Sequence, residues 1–119
     1  MDRQTRGKEA ETHAKGWLTQ QGLTFVQQNY HSRYGEIDLI FTHKDVLIFI
    51  EVRRRSSQRF GGAAASVTRH KQQKILTCAE HFLVKHPAFQ HYNCRFDVIA
   101  YEASPESGPP LWYKDAFRA

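Results

Sequence analysis

Cysteine is scarce in this chain: two residues among 119, Cys78 and Cys94, without the paired spacing of a thiol metal site. So few thiols exclude a disulfide-built scaffold and point to reduced side chains in a cytoplasmic setting. No apolar run reaches the length of a membrane span. The polar start MDRQTRGKEAETHAK contains no apolar signal segment. Glycine-rich phosphate loops, internal repeats and low-complexity runs are missing. His70, His81, His86 and His91 lack zinc-type spacing and read as surface or loop residues. Nor does the order of residues support a Ser/His/Asp arrangement. Acids are also short, with 12 Asp and Glu against 17 Lys and Arg, for a net charge of +5. An excess of positive charge favours an anionic partner, of which nucleic acid is the commonest.

What is present describes one ordinary globule, residues 1–119, at 40% hydrophobic and 24% charged. The chain is organised around Tyr34 to Arg55, YGEIDLIFTHKDVLIFIEVRRR. Gly35 to Phe41 alternates polar and apolar residues, as a strand does. Thr42 to Asp45 supplies a turn. Val46 to Val52 is apolar on both faces, the mark of a central strand, yet it runs into Glu51 and Arg53. A period of two puts Glu36 and Asp38 on one face and Glu51 and Arg53 on one face of the next strand. As a hairpin, these strands bring three carboxylates and a guanidinium to one sheet edge. Two readings stand: strand ends joined by ordinary salt bridges, or carboxylates gathered for a hard cation such as Mg²⁺.

Residues 5 to 21 read as a helix with Thr5 as N-cap and a buried stripe of Ala10, Ala14, Trp17, Leu18 and Gln21. Gly22 ends it. Glu11 lies beside the stripe, and spacing favours a surface Glu pairing with Lys8 or Lys15. A first strand covers Thr24 to Tyr30, with a turn at His31-Ser32-Arg33, so three strands form an antiparallel meander. After the central strand, Arg53, Arg54, Arg55 and Arg59 give a basic loop suited to phosphate oxygens. A second helix spans 66 to 85, with Ser66 as N-cap and a stripe of Val67, Lys71, Ile75, Cys78 and Phe82. Lysine at a core-side position is costly unless it meets a carboxylate or an anionic ligand. Thr68, Lys74 and His81 face water. Arg69 and Lys74 extend the basic surface begun by the loop. His86-Pro87 closes the helix, Cys94 to Tyr101 is a strand, and a last short strand surrounds Leu111 to Lys114. The order α-β-β-β-α-β-β is that of an α/β fold, a mixed sheet flanked by helices.

An acidic helix residue, then GEIDLI, then a strand ending Glu-Val-basic resembles the PD-(D/E)xK, or restriction-endonuclease-like, superfamily. The whole chain is similar to the YraN family of small bacterial proteins, themselves similar to archaeal Holliday-junction resolvases. The matching residues are Gly7-x-x-Ala10-Glu11-x-x-Ala14, Asn29, Gly35 to Ile40, Phe49-Ile50-Glu51-Val52, Arg55, Lys71 and Arg95-Phe96-Asp97. This resemblance implies a restriction-endonuclease-like fold and metal ligation by Asp38 and Glu51, with Glu11 and Glu36 completing or orienting the shell. Mg²⁺ is the implied cofactor, with Mn²⁺ as a substitute. Asp38, Glu51, Arg53 and Lys71 would carry catalysis on structured or branched DNA. Arg54, Arg55, Arg59, Arg69 and Lys74 would hold the nucleic acid. By analogy with the resolvases, a homodimer is expected. One departure from the pattern bears on activity. Arg53 stands where the motif has lysine, and a guanidinium stays protonated, stabilising charge without acting as a base. The alternative is therefore a nucleic-acid-binding protein that keeps the nuclease fold without hydrolysis. A third reading is an interaction module whose charges form salt bridges.

Overall fold

The computed structural model describes residues 3–54 and 64–119, with side chains described from residue 7 onward. Arg55 and Arg59, expected in the basic loop, lie outside the described residues. Helix α1 spans Arg3–Gln20 and is followed by strands β1 (Thr24–Ser32), β2 (Gly35–His43) and β3 (Val46–Arg54). Helix α2 (Arg69–Lys85) then leads to β4 (Asn93–Tyr101) and β5 (Leu111–Tyr113). This is the expected order. The sheet runs β1-β2-β3-β4-β5, antiparallel throughout except where β4 lies parallel to β3. A parallel neighbour needs a crossover, and α2 supplies it.

Each helix covers one face of the sheet. Ala10, Ala14 and Leu18 of α1 pack with Leu39, Phe41, Ile48, Ile50, Val52 and Ile99. On the other face Ile75, Cys78, Ala79 and Phe82 of α2 meet Tyr30, Ile37, Ile40, Leu47, Phe49 and Val98. Central β3 feeds both clusters, which explains its continuous apolar run. Gly22, at φ +94°, ends α1 in a conformation that costs glycine little. No helix among the described residues is long and apolar enough to cross a membrane.

Several local expectations are corrected. Thr5 lies inside α1, not at its cap, and Gln21 is exposed beyond the buried stripe. Ser66 belongs to a short 3₁₀ turn at Ala64–Ser66, and the cap of α2 is Thr68, whose hydroxyl accepts the Lys71 amide hydrogen. Threonine two residues later has the right backbone, φ −68° and ψ 166°, for that role. His81 is half-buried, within 2.7 Å of the Tyr30 hydroxyl through Nδ1. His86 is also half-buried, stacked on Phe82 at a centroid distance of 4.0 Å. The first hairpin is tighter than expected, since Ser32 pairs with Gly35 and only Arg33 and Tyr34 form the tip.

One departure shapes the site. Strict alternation would put Ile37 and Leu39 on the same face, yet Ile37 packs on the α2 side and Leu39 on the α1 side. Their β1 partners, Tyr30 and Gln28, split the same way: Tyr30 joins the α2 cluster, and Gln28 accepts from Lys15 of α1 at 3.2 Å. Between them lies Asn29 at φ +51°, a left-handed conformation that Asn adopts more readily than most residues. The twist at Asn29 and Asp38 changes which way each strand presents its side chains.

Candidate metal and nucleic-acid site

The last pair of the β2–β3 ladder at this end is Leu39 with Ile50. The next residues across from one another would be Asp38 and Glu51, and like charges directly opposite disfavour a continued ladder. The strands part there. Asp38 Oδ2 instead accepts the Val52 backbone amide at 2.8 Å, taking the place of a ladder bond. Meanwhile β4 keeps pairing with β3 as far as Arg54 and Tyr101, so Glu51 and Arg53 stay on a firm strand.

Into this open end α1 brings Glu11. Carboxylate oxygens of Glu11, Glu36 and Asp38 lie within 4.8 Å of one another. Asp38 accepts hydrogen bonds from the carboxyls of Glu11 and Glu51, which joins three acids, while Glu36 acts on Asp38 through charge alone. Spacing alone favours Glu11 as a surface residue; the fold places it half-buried against two acids. Glu51 is the deepest of the four, 9% exposed. The Asn29 amide, oriented with its nitrogen toward the acids, donates to Glu36 Oε1 at 2.9 Å and Glu11 Oε1 at 3.2 Å. Left-handed Asn29 thus twists the strand and holds two of the acids.

The electrostatic consequence is consistent across the group. Burial, then the charge and hydrogen bond of Asp38 and the charge of Glu36, push the Glu11 pKa to about 8, partly offset by Lys8. Burial, then the hydrogen bond and charge of Asp38, raise Glu51 well above the usual carboxylate range, against the pull of Arg53. Glu36 moves up for the same reasons, burial first and Asp38 second, with His31 opposing. Acids that share hydrogen bonds must share protons, because an ionised carboxylate only accepts.

The chemistry of the donor set fits a divalent cation. All donors are hard oxygens, and Mg²⁺ in octahedral geometry at about 2.1 Å spans opposite ligands roughly 4.2 Å apart. Adjacent ligands in that geometry lie roughly 3.0 Å apart, so three oxygens within 4.8 Å of one another are gathered closely enough to close on one ion by side-chain rotation.

The cations are placed unevenly. Arg53 Nη2 stands 3.7 Å from Glu51 Oε1, a single loose contact, and its Nε is buried without a hydrogen-bond partner among the described residues. Arg54 reaches back to Glu9 of α1 at 3.7 Å. Lys71 is half-buried in the first turn of α2, while Arg69 and Lys74 on the same helix are exposed. Lys74 sits beside the start of β2: a Cβ built on Gly35 would meet the Lys74 Cβ at 3.6 Å. Asn29, Glu9 and His31 join the arrangement without a motif that singles them out by spacing. The first is matched only through the family resemblance.

A family model described as uncharacterised protein family UPF0102 matches residues 10–101, most of this chain. The chain is a UPF0102, or YraN-family, protein. UPF0102 proteins of Saccharophagus degradans and Alcanivorax borkumensis are 50% and 47% identical to it. Each alignment covers 93% of this chain, with 91% and 90% of the respective relative. A UPF0102 protein of Legionella pneumophila is 45% identical over 98% of this chain and 97% of the relative. The matched region of the UPF0102 chain spans Glu11, Asn29, Glu36, Asp38, Glu51, Arg53 and Lys71.

Proposed function

We propose that this UPF0102 protein is a Mg²⁺-dependent endonuclease acting on structured or branched DNA. The observation that carries the reading is the convergence of Glu11, Glu36 and Asp38, with Glu51 bonded to Asp38, at the parted end of β2 and β3. The GEIDLI and Glu-Val strands that supply three of these acids resemble those of the PD-(D/E)xK nucleases.

Asp38 and Glu51 would hold the metal, and Glu11 and Glu36 would complete or orient its shell. When bound, such a cation activates water and neutralises phosphate charge. The rest falls to the chain. Asn29 fixes Glu36 and Glu11 so that their oxygens point inward. The Val52 amide holds Asp38 in place. Arg53 supplies positive charge next to Glu51 but cannot remove a proton. Lys71, in the opening turn of α2, would meet developing negative charge. Arg54, Arg69 and Lys74, with Arg55 and Arg59, provide phosphate contacts whose strength falls with salt.

Arg53 in the place of the motif lysine favours a second reading, a DNA-binding protein without hydrolysis. A cleavage assay on branched and linear DNA, with Mg²⁺ and Mn²⁺ side by side, separates the two. The nuclease reading expects metal-dependent cuts that Asp38→Asn abolishes. No cleavage by wild type or by Arg53→Lys, with DNA binding intact, would leave the binding protein standing.

A further inference from the structure

The tip of the first hairpin carries two residues that the proposed chemistry does not use. Tyr34 is 40% exposed, one of few large hydrophobic side chains left open among the described residues. It is not loose. The Arg33 guanidinium lies over its ring, 5.1 Å from the centroid, and Arg33 Nη2 donates to its hydroxyl at 2.9 Å. The Tyr34 amide donates to Ser32 Oγ at 3.1 Å, and the same hydroxyl contacts Cys78 Sγ of α2 at 3.2 Å. His81 of α2 stands edge-on to the ring at 6.3 Å. Lys74 packs against Gly35 next door. An aromatic side chain is thus held out in water by a turn braced on a helix, with the Arg33 guanidinium on its ring.

The position matters as much as the exposure. Tyr34 stands two residues before Glu36, at the turn that opens β2, so the two backbones lie within about 7 Å of one another. Duplex DNA rises about 3.4 Å per base along one strand. A ring carried on the turn next to the strand of Glu36 is therefore placed for a nucleotide a step or two from a phosphate at the acids. Aromatic rings stack on unpaired bases whatever their identity, and guanidinium planes add to that contact. Inside a continuous duplex, base faces are already stacked and offer the ring nothing.

We propose that the Arg33–Tyr34 tip is a stacking platform for an unpaired base, so that this site takes DNA where a strand leaves the duplex in preference to continuous duplex. The inference rests on the nuclease-site reading and names its substrate class. Arg33 presets the ring, Lys74 contacts the neighbouring phosphate, and the acids lie one or two nucleotides further on.

Binding by the full chain to flapped DNA and to matched continuous duplex, measured by fluorescence anisotropy, tests it. A 2-aminopurine at the first unpaired position reports stacking directly. Tyr34→Ala should weaken flap binding about ten-fold and duplex binding less than two-fold. Tyr34→Phe should keep flap affinity, and wild type should quench the 2-aminopurine where Tyr34→Ala does not. Equal effects of Tyr34→Ala on both DNAs, or unchanged quenching in that variant, overturn the platform. Those outcomes leave the nuclease reading intact, because it is judged by the loss of cleavage in Asp38→Asn. Wild type that binds neither DNA overturns both.

Discussion

Asp97 on β4 and Glu51, in the group of four acids at the open end of β2 and β3, are both buried carboxylates, but their surroundings differ in kind. Asp97 is wholly buried, and each of its oxygens receives two donors. Oδ1 accepts Arg95 Nε and the Asp115 amide, and Oδ2 accepts Arg95 Nη2 and Trp112 Nε1, all at 2.9 Å. That acid ties β4 to β5 and the C-terminal turn, and nothing is left for a ligand to do. At the other site, acids face acids. Among the described residues its partners include the Val52 amide, the Asn29 side chain, Arg53 at 3.7 Å and His31 at 3.8 Å. Burial alone therefore does not tell the two kinds of carboxylate apart. What separates them is whether the neighbourhood compensates the charge.

The largest difference should appear on truncation. Asp97→Ala strands Arg95, Trp112 and the Asp115 amide, and should cost about 3 kcal/mol or more in denaturant unfolding. Asp38→Asn should cost far less, because relief of repulsion offsets the weakened bond to Val52. Equal losses from the two substitutions would erase the distinction.

The two arginines extend the comparison. Arg95 grips Asp97 bidentately, whereas Arg53 touches Glu51 once. Lysine cannot reproduce a fork, so Arg95→Lys should destabilise by roughly 1–2 kcal/mol. Arg53→Lys should change stability by under about 0.5 kcal/mol. Its effect belongs in the cleavage assay on branched DNA, where a compact ammonium should raise the rate. A flat response, with loss of cleavage in Lys71→Met, would assign the ammonium role to Lys71.

Much of this was legible in the chain. Alternation and the apolar run marked β2 and β3 and brought Glu36, Asp38 and Glu51 to one end of the sheet, although the period of two breaks at Asp38, where Ile37 and Leu39 face opposite helices. Glu11 was not legible from spacing, since a residue beside an apolar stripe usually faces water; the parted strands below it make room for a half-buried acid. Asn29 was matched as a family residue, but its work depends on a φ of +51° that no periodicity encodes. Thr68 displaced Ser66 as cap because the chain first makes a 3₁₀ turn, a choice set by packing of Val67 against the α2-side core. Arg95-Phe96-Asp97 matched the family pattern, and only the fold shows Asp97 binding the C-terminal segment.

A smaller effect separates the sites by pH. Glu11 carries its proton to about pH 8 in the folded protein, against an ordinary value of 4.5. Below 4.5 both states are protonated and full stability is present. As pH rises toward about 8 the unfolded chain releases the proton first, so stability is lost across that window. Glu36 and Glu51 act in the same direction. Glu11→Gln should recover about 1 kcal/mol near the upper end, allowing for the partial exposure of Glu11 to water. Thermal unfolding across that range checks it, and a Glu11→Gln profile that declines as steeply as wild type would contradict the assignment.

The account turns on whether the uncompensated acids hold a divalent cation. Calorimetric titration of Mn²⁺ into wild type and Asp38→Asn at about pH 7, in two buffers of different ionisation enthalpy, measures both affinity and proton release. Wild type should bind with release of the protons its carboxyls share, and Asp38→Asn should bind at least about ten-fold more weakly. Asp38→Asn binding Mn²⁺ as tightly as wild type, with the same proton release, would contradict it.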